Sequence, residues 1–311
     1  MTAAACHPEH SAVQRTVEAP GARSERREAP RSDDAKAAPA CHPERRPKAE
    51  VEGSPAESAK ALFDLHCHLD FAEDPAELAA GLAKRGVGCL SVTVTPEGYG
   101  RAADLLGACG NVRVGAGLHP WWVEAGPAGE DAAEQAAANA AASRYVGEVG
   151  LDFGTAHAST RDAQIAAFER IARACAAEGG KVLSIHAVKS AAKVLDVLEH
   201  AGALAENACI FHWFSGTSDE LQRAIRAGCR FSVGPHMLAS KRGRAYAQAV
   251  PAKRLLLETD EPPACGTPVP PEEFARLLQS ALAEVAALRR EDPAALADRI
   301  ARTSRDLLAR P

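Results

Sequence analysis

From about residue 61 onward, short apolar runs alternate with longer stretches of helical periodicity. The runs 62–67, 88–94, 112–117, 145–150, 182–187, 208–213, 230–234 and 254–259 have the length and composition of buried strands. Between them, 75–85 sets Ala76, Leu78, Ala79 and Leu82 on one helical face, and 161–178 does the same with Ile165, Phe168, Ile171, Ala172 and Cys175. Two further helices are predicted near 271–289 and 293–309. Strands separated by helices pair in parallel through right-handed crossovers. Eight such units close most economically into a (β/α)8 barrel, the TIM barrel of the α/β class. A doubly wound open sheet is the alternative, but it would scatter the polar residues that end the first, fourth, fifth, sixth and eighth runs.

Residues 1–60 break this pattern. They contain no Leu, Ile, Phe, Tyr or Trp, and they are rich in Pro and charge. Such a segment cannot bury enough apolar surface to offset its ordering entropy, so a disordered, low-complexity tail is expected. It repeats one phrase, Ala5-Cys6-His7-Pro8-Glu9 and Ala40-Cys41-His42-Pro43-Glu44, without the apolar support that a zinc module needs. The tail, or a start codon placed too early, precedes one barrel domain at 61–311. Acids and bases balance within the tail, so the net charge of −5 belongs to the barrel. That is not the basic footprint of a DNA-coating protein, and a polyanionic substrate would need bound cations. Cys89, Cys109, Cys175, Cys209 and Cys229 sit in apolar runs as small core fillers, which suits reduced thiols in the cytoplasm. An apolar leader segment and a membrane-length apolar run are both missing.

Polar residues end the strand runs, where a barrel enzyme keeps its chemistry. His66 and His68, two apart on a strand, share a face and can grip one ion. Glu148, flanked by Gly147 and Gly150, has two oxygens and can bridge two ions. His186 and His212 end adjacent strands and form the ligand set of a second ion. Asp260 can bind the first ion and accept a proton from water. Glu258 is expected on the same face as Asp260, in a supporting role. His119 before Pro120 is either a substrate or phosphate contact or a turn-stabilising residue. Trp121 and Trp122 either stack a nucleobase or cap the barrel mouth. Ser215 and Gly216 are expected to open a helix whose amides favour an anion.

These motifs resemble the TatD family of metal-dependent deoxyribonucleases. The match rests on Asp64-Leu65-His66-Cys67-His68-Leu69-Asp70-Phe71, Gly117-x-His119-Pro120, Gly147-Glu148-x-Gly150-Leu151-Asp152, His212-x-Phe214-Ser215-Gly216 and Glu258-Thr259-Asp260-x-Pro262, over about residues 62 to 310. The resemblance implies a TIM barrel of the amidohydrolase-like group with two divalent ions. His66, His68, Glu148 and Asp260 would hold the first, and Glu148, His186 and His212 the second. Two departures bear on substrate. Where many members have His-x-Arg, this chain has His186-Ala187-Val188-Lys189, so Lys189 offers a point charge in place of a bidentate fork. The loop Glu261-Pro262-Pro263-Ala264-Cys265-Gly266 lacks the usual aromatic after Pro.

The expectation is a cytoplasmic hydrolase with two divalent ions, Mg, Mn or Zn. It would cut phosphodiester bonds in DNA, single-stranded or at 3′ ends, as a 3′-exonuclease. A hydroxide shared by the ions would attack, with Asp260 as general base and Glu148 between the ions. His119, Lys189 and Ser215 would contact substrate; no membrane or protein partner is expected. Metal-dependent amide or ester hydrolysis, such as D-aminoacyl-tRNA deacylation, is the first rival. Many such barrels use a modified Lys where this chain has Glu148. A non-catalytic nucleic-acid- or metal-binding protein is the second rival, against which the full ligand set argues. A chain beginning at Ser58 should keep the turnover and melting temperature of the full chain; a large fall in either would show that the tail packs on the barrel.

Overall fold

The computed structural model describes residues 61–309. The tail and its Cys-His repeat lie outside these residues. Eight strands follow chain order around one sheet, each parallel to its neighbour: β1 (Leu62–Cys67), β2 (Val87–Val92), β3 (Val112–Leu118), β4 (Tyr145–Asp152), β5 (Val182–Val188), β6 (Ala208–His212), β7 (Arg230–Val233) and β8 (Leu255–Leu257). Helices connect them. They are α1 (Pro75–Lys84), α2 (Pro96–Leu106), α3 (Pro127–Ala142), α4 (Arg161–Glu178), α5 (Ala191–Ala201), α6 (Ala203–Glu206), α7 (Ser218–Arg226), α8 (Pro235–Leu238), α9 (Lys241–Ala249), α10 (Pro271–Arg289) and α11 (Pro293–Leu308). This is the expected (β/α)8 barrel, nearly closed.

Local chemistry sets several helix starts. Asp74, Thr95 and Asp292 each accept an amide hydrogen bond from the first turn and are each followed by Pro at the first helical position. A large apolar cluster, including Val149, Phe168, Ile171, Leu183, Val194 and Phe274, packs strands against helices. A smaller one, with Leu65, Leu90, Tyr145, Val182, Ile210 and Leu256, fills the barrel interior. Strands buried on both faces read as continuous apolar runs, and β4 is buried along its whole length. Of the five cysteines expected in the core, Cys109 is only partly buried.

Register breaks mark the strand ends that carry polar residues. Pairing shifts between Asp64 and Cys67 in β1, between Ala116 and Leu118 in β3, and between Val146 and Val149 in β4. Bulges re-aim side chains in this way beside functional sites. Leu65 and Tyr145 belong to the interior cluster. Under strict alternation, His66 and Glu148 would then face the other way.

Gly117 permits the shift in β3. A Cβ there would lie 1.6 Å from the Thr93 carbonyl oxygen and 2.7 Å from the Glu148 nitrogen. With none, the residue after β2 bonds directly to β4: Thr93 N–H donates to Gly147 C=O at 3.0 Å, and Glu148 N–H donates to Thr93 C=O at 2.8 Å. The seam between β8 and β1 closes by individual bonds. Asp260 N–H donates to His66 C=O at 3.0 Å. The buried Asp64 carboxylate accepts from Thr259 N–H at 3.2 Å and from the Thr259 hydroxyl at 2.6 Å. Gly117→Ala should therefore destabilise the barrel by about 3 kcal/mol, the upper end of overpacking costs. An unchanged denaturation midpoint would show that β2 and β4 part freely.

Candidate metal centre

Glu148 lies at the centre of five imidazoles. Its Oε1 is 2.8 Å from His186 Nδ1, 2.8 Å from His212 Nε2 and 3.3 Å from His119 Nε2. Its Oε2 is 3.5 Å from both His66 Nε2 and His68 Nε2. Asp260 Oδ1 joins the second group, 3.3 Å from His66 Nε2 and 3.5 Å from His68 Nε2. All seven residues are buried. Ligand-type atoms fall into three groups within reach of one ion: His66, Glu148 and His212; His66, His68 and Asp260; His119, Glu148 and His186. His66 Nε2 and His212 Nδ1 are buried without a hydrogen-bond partner among the described residues. Buried unpaired nitrogens are costly, and cations would satisfy them. The donor set fits divalent ions.

Charge in the site is strongly coupled. Burial alone would raise the Glu148 carboxyl, but the imidazoles of His119, His212 and His66 outweigh it and hold it well below the usual range. The same contest, with His66 and His68 as partners, holds Asp260 well below its ordinary value. Burial opposes charge on His66, yet Glu148 and Asp260 hold it well above an ordinary imidazole. His186 rises to about 9 against burial because of Asp152 and Glu148. Burial and the neighbouring His66 push His212 down to about 4.

A second layer of residues orients these rings. His68 Nδ1 faces the Val92 carbonyl at 3.1 Å. His66 Nδ1 is 2.7 Å from Ser184 Oγ. His186 Nε2 is 3.3 Å from Asp152 Oδ2, which also accepts the Trp121 indole N–H at 2.6 Å. Gly154 N–H donates to the other Asp152 oxygen at 2.7 Å. Sequence reasoning gave roles to neither Ser184 nor Asp152. Ser184 carries a signal only in hindsight, two residues before His186 on one strand face. Asp152 closes the same glycine-flanked motif as Glu148.

Other expectations need adjustment. Glu258 is tied to residues of other strands: its Oε1 accepts Trp213 N–H at 3.0 Å and its Oε2 accepts the Ser232 hydroxyl at 2.5 Å. β8 ends at Leu257, earlier than expected, and Asp260 adopts φ 61°. The helix after β6 begins at Ser218, not at Ser215. Thr217 and Glu220 form a capping box, and Glu220 also accepts Ala192 N–H at 3.1 Å. The protein's own carboxylate thus takes the position expected for an anion. Ser215 and Lys189 are exposed beyond β6 and β5. His119 serves as the cap of a short 3-10 turn, Pro120–Trp122, while its Nε2 reaches Glu148. Trp121 stacks on His157 at 5.0 Å between ring centres.

A family model described as TatD related DNase matches residues 63–309. The chain belongs to the TatD-related DNase family. A 3′-5′ ssDNA/RNA exonuclease TatD from Yersinia pseudotuberculosis serotype O:3 (strain YPIII) is 28% identical over 248 residues, 75% of this chain and 93% of that protein. The protein of the same name from Edwardsiella piscicida is 38% identical over 120 residues, 38% of this chain and 45% of the relative. Among solved structures, a TatD homologue from Escherichia coli K12 superposes with a TM-score of 0.67 at 23% identity, covering 80% of this chain and 98% of that one. A TatD family hydrolase from Entamoeba histolytica gives 0.64 at 13% identity, with the same coverage. At these identities the two structures bear on the fold alone.

Asp152 offers a test of the TatD site. Asp152→Asn would turn an amide N–H2 toward groups that now meet an acceptor, loosening the His186 ring. Metal affinity, measured by competition with a chromophoric chelator, should fall about 10–100-fold. Unchanged affinity would remove Asp152 from this supporting role.

Proposed function

We propose that this protein is a two-metal hydrolase of phosphodiester bonds, a deoxyribonuclease of 3′-exonuclease type acting on single-stranded DNA or 3′ ends. One observation carries the reading: Glu148 divides its two oxygens between two sets of ligand atoms. His66, His68, Glu148 and Asp260 would hold one divalent ion, and Glu148, His186 and His212 the other. Mg, Mn and Zn all suit this mixture of imidazole and carboxylate. Such ions acidify water and offset charge on phosphoryl oxygens. The family, and the activity that its relatives' names carry, support nucleic acid as the substrate.

The chain's own residues supply the rest. Asp260 is the general base, held ionised by His66 and His68 and bonded through its amide to β1. Its proton acceptor therefore stays fixed relative to the two imidazoles of the first group. His119 meets the phosphate from within the cluster. Lys189 and Ser215, exposed beyond adjacent strands, meet the strand outside it. A point charge at Lys189 suits a phosphate in several orientations better than one locked pose. The reading keeps the cytoplasmic location expected from the sequence. No described helix is long and apolar enough to cross a membrane.

The test is turnover on 3′-labelled single-stranded DNA, RNA, dinucleotides and aminoacyl-tRNA, with Mg²⁺ or Mn²⁺ and with chelator. Chelator-sensitive release of nucleotides from 3′ ends is expected; cleavage of aminoacyl-tRNA alone would replace the reading with ester hydrolysis. Glu148→Gln should weaken both ions, and His212→Ala chiefly one, by elemental analysis. Asp260→Asn should lower kcat by about 10²–10⁴-fold at saturating metal. Near-wild-type kcat in that variant would sink the assignment of the base.

A further inference from the structure

We propose that His119 faces the site as a hydrogen-bond donor to the phosphoryl group and is not a metal ligand, an inference that rests on the proposed phosphodiester hydrolysis. Distance alone groups His119 Nε2 with Glu148 and His186 as atoms able to share an ion. The opposite ring nitrogen decides otherwise. His119 Nδ1 accepts the Trp121 backbone N–H at 3.1 Å. A backbone amide can only donate, so Nδ1 presents its lone pair and the ring proton sits on Nε2. That N–H points at Glu148 Oε1, 3.3 Å away.

The arrangement is held in place. The backbone N–H of His119 donates to the Val94 carbonyl at 2.9 Å, the residue is 3% exposed, and the accepted amide belongs to the turn that His119 caps. To ligate through Nε2, the ring would have to carry its proton on Nδ1, donor against donor. His68 and His186 show the reverse order. Their outer nitrogens face acceptors, the Val92 carbonyl at 3.1 Å and the Asp152 carboxylate at 3.3 Å. A proton belongs on each of those outer nitrogens, which leaves a lone pair turned inward. The same imidazole chemistry thus yields ligands at 68 and 186 and a donor at 119.

The role follows from the proton balance. Hydrolysis forms one P–O bond from water and breaks the P–O bond to the leaving oxygen. The water proton passes to Asp260, and the leaving oxygen takes a proton from solvent. A neutral imidazole that surrendered its Nε2 proton would be left an imidazolate, so His119 transfers none. Its N–H shifts from Glu148 Oε1 to a non-bridging phosphoryl oxygen as negative charge gathers there. A fixed, uncharged donor aimed at developing charge is an effective arrangement for such a step.

Two measurements on the full chain test this. In metal-loaded protein labelled with ¹⁵N-histidine, His119 should show a protonated Nε2 and a pyridine-like Nδ1. His119→Asn keeps an acceptor for the Trp121 amide but is too short to reach the phosphate. It should retain the wild-type ion count and melting temperature while kcat falls about 10²–10³-fold. A proton on Nδ1, a lost ion in His119→Asn, or unchanged kcat at full metal loading would each overturn the proposal. Absence of phosphodiester turnover in the wild-type protein would instead overturn the functional reading, while the tautomer and ion count still judge His119 as donor or ligand.

Discussion

Glu148 is buried midway along β4, at its register shift, and every ion-pair partner it has among the described residues is a histidine. A carboxylate removed from water costs several kcal/mol unless it is compensated. Without Arg or Lys in contact, compensation must come from protons on the imidazoles or from cations between them. The opposed shifts of those rings are the sign of this constraint. His66 and His186 are drawn upward, whereas His212 is driven down to about 4. His66 and His212 stack at 3.9 Å between ring centres, too close for both to carry charge at little cost. A compact cation held by the same ligands would supply positive charge without that repulsion.

Holding Glu148 there shapes the backbone around it. Thr93 brackets its peptide with two hydrogen bonds, which is possible only because Gly117 leaves room. On the opposite side of the barrel, Asp64 and Glu258 use their oxygens on backbone amides and hydroxyls. Burial raises Asp64 to about 7 and Glu258 well above the carboxylate range. These two acids tie the ends of β1, β6, β7 and β8 together. They differ from Glu148 and Asp260 in kind, since among the described residues no imidazole ring forms an ion pair with either.

Much of this was legible in the sequence. Apolar runs located all eight strands, and residues ending them in β1, β4, β5, β6 and after β8 converge as expected. Alternation within a strand failed at the decisive places. Leu65 and His66 are neighbours, and Tyr145 and Glu148 are three apart, yet both members of each pair serve the barrel interior or its mouth. A bulge is a property of pairing between strands, so the period of one strand cannot reveal it. Gly117, Gly147 and Gly150 were its only traces.

The roles of the histidines lie one layer deeper still. Residue type and position brought five imidazoles to one carboxylate, but what each ring offers is decided by the atom behind it. A carbonyl behind His68 and a carboxylate behind His186 are acceptors; an amide behind His119 is a donor. Val92, Asp152 and Trp121 sit on β2, at the end of β4 and in the turn after β3. None is near its histidine in the chain except Trp121. The chemistry of the centre is therefore distributed over β2, the end of β4 and the turn after β3 as well as over the ligands themselves, and it can change through substitutions that leave every histidine in place.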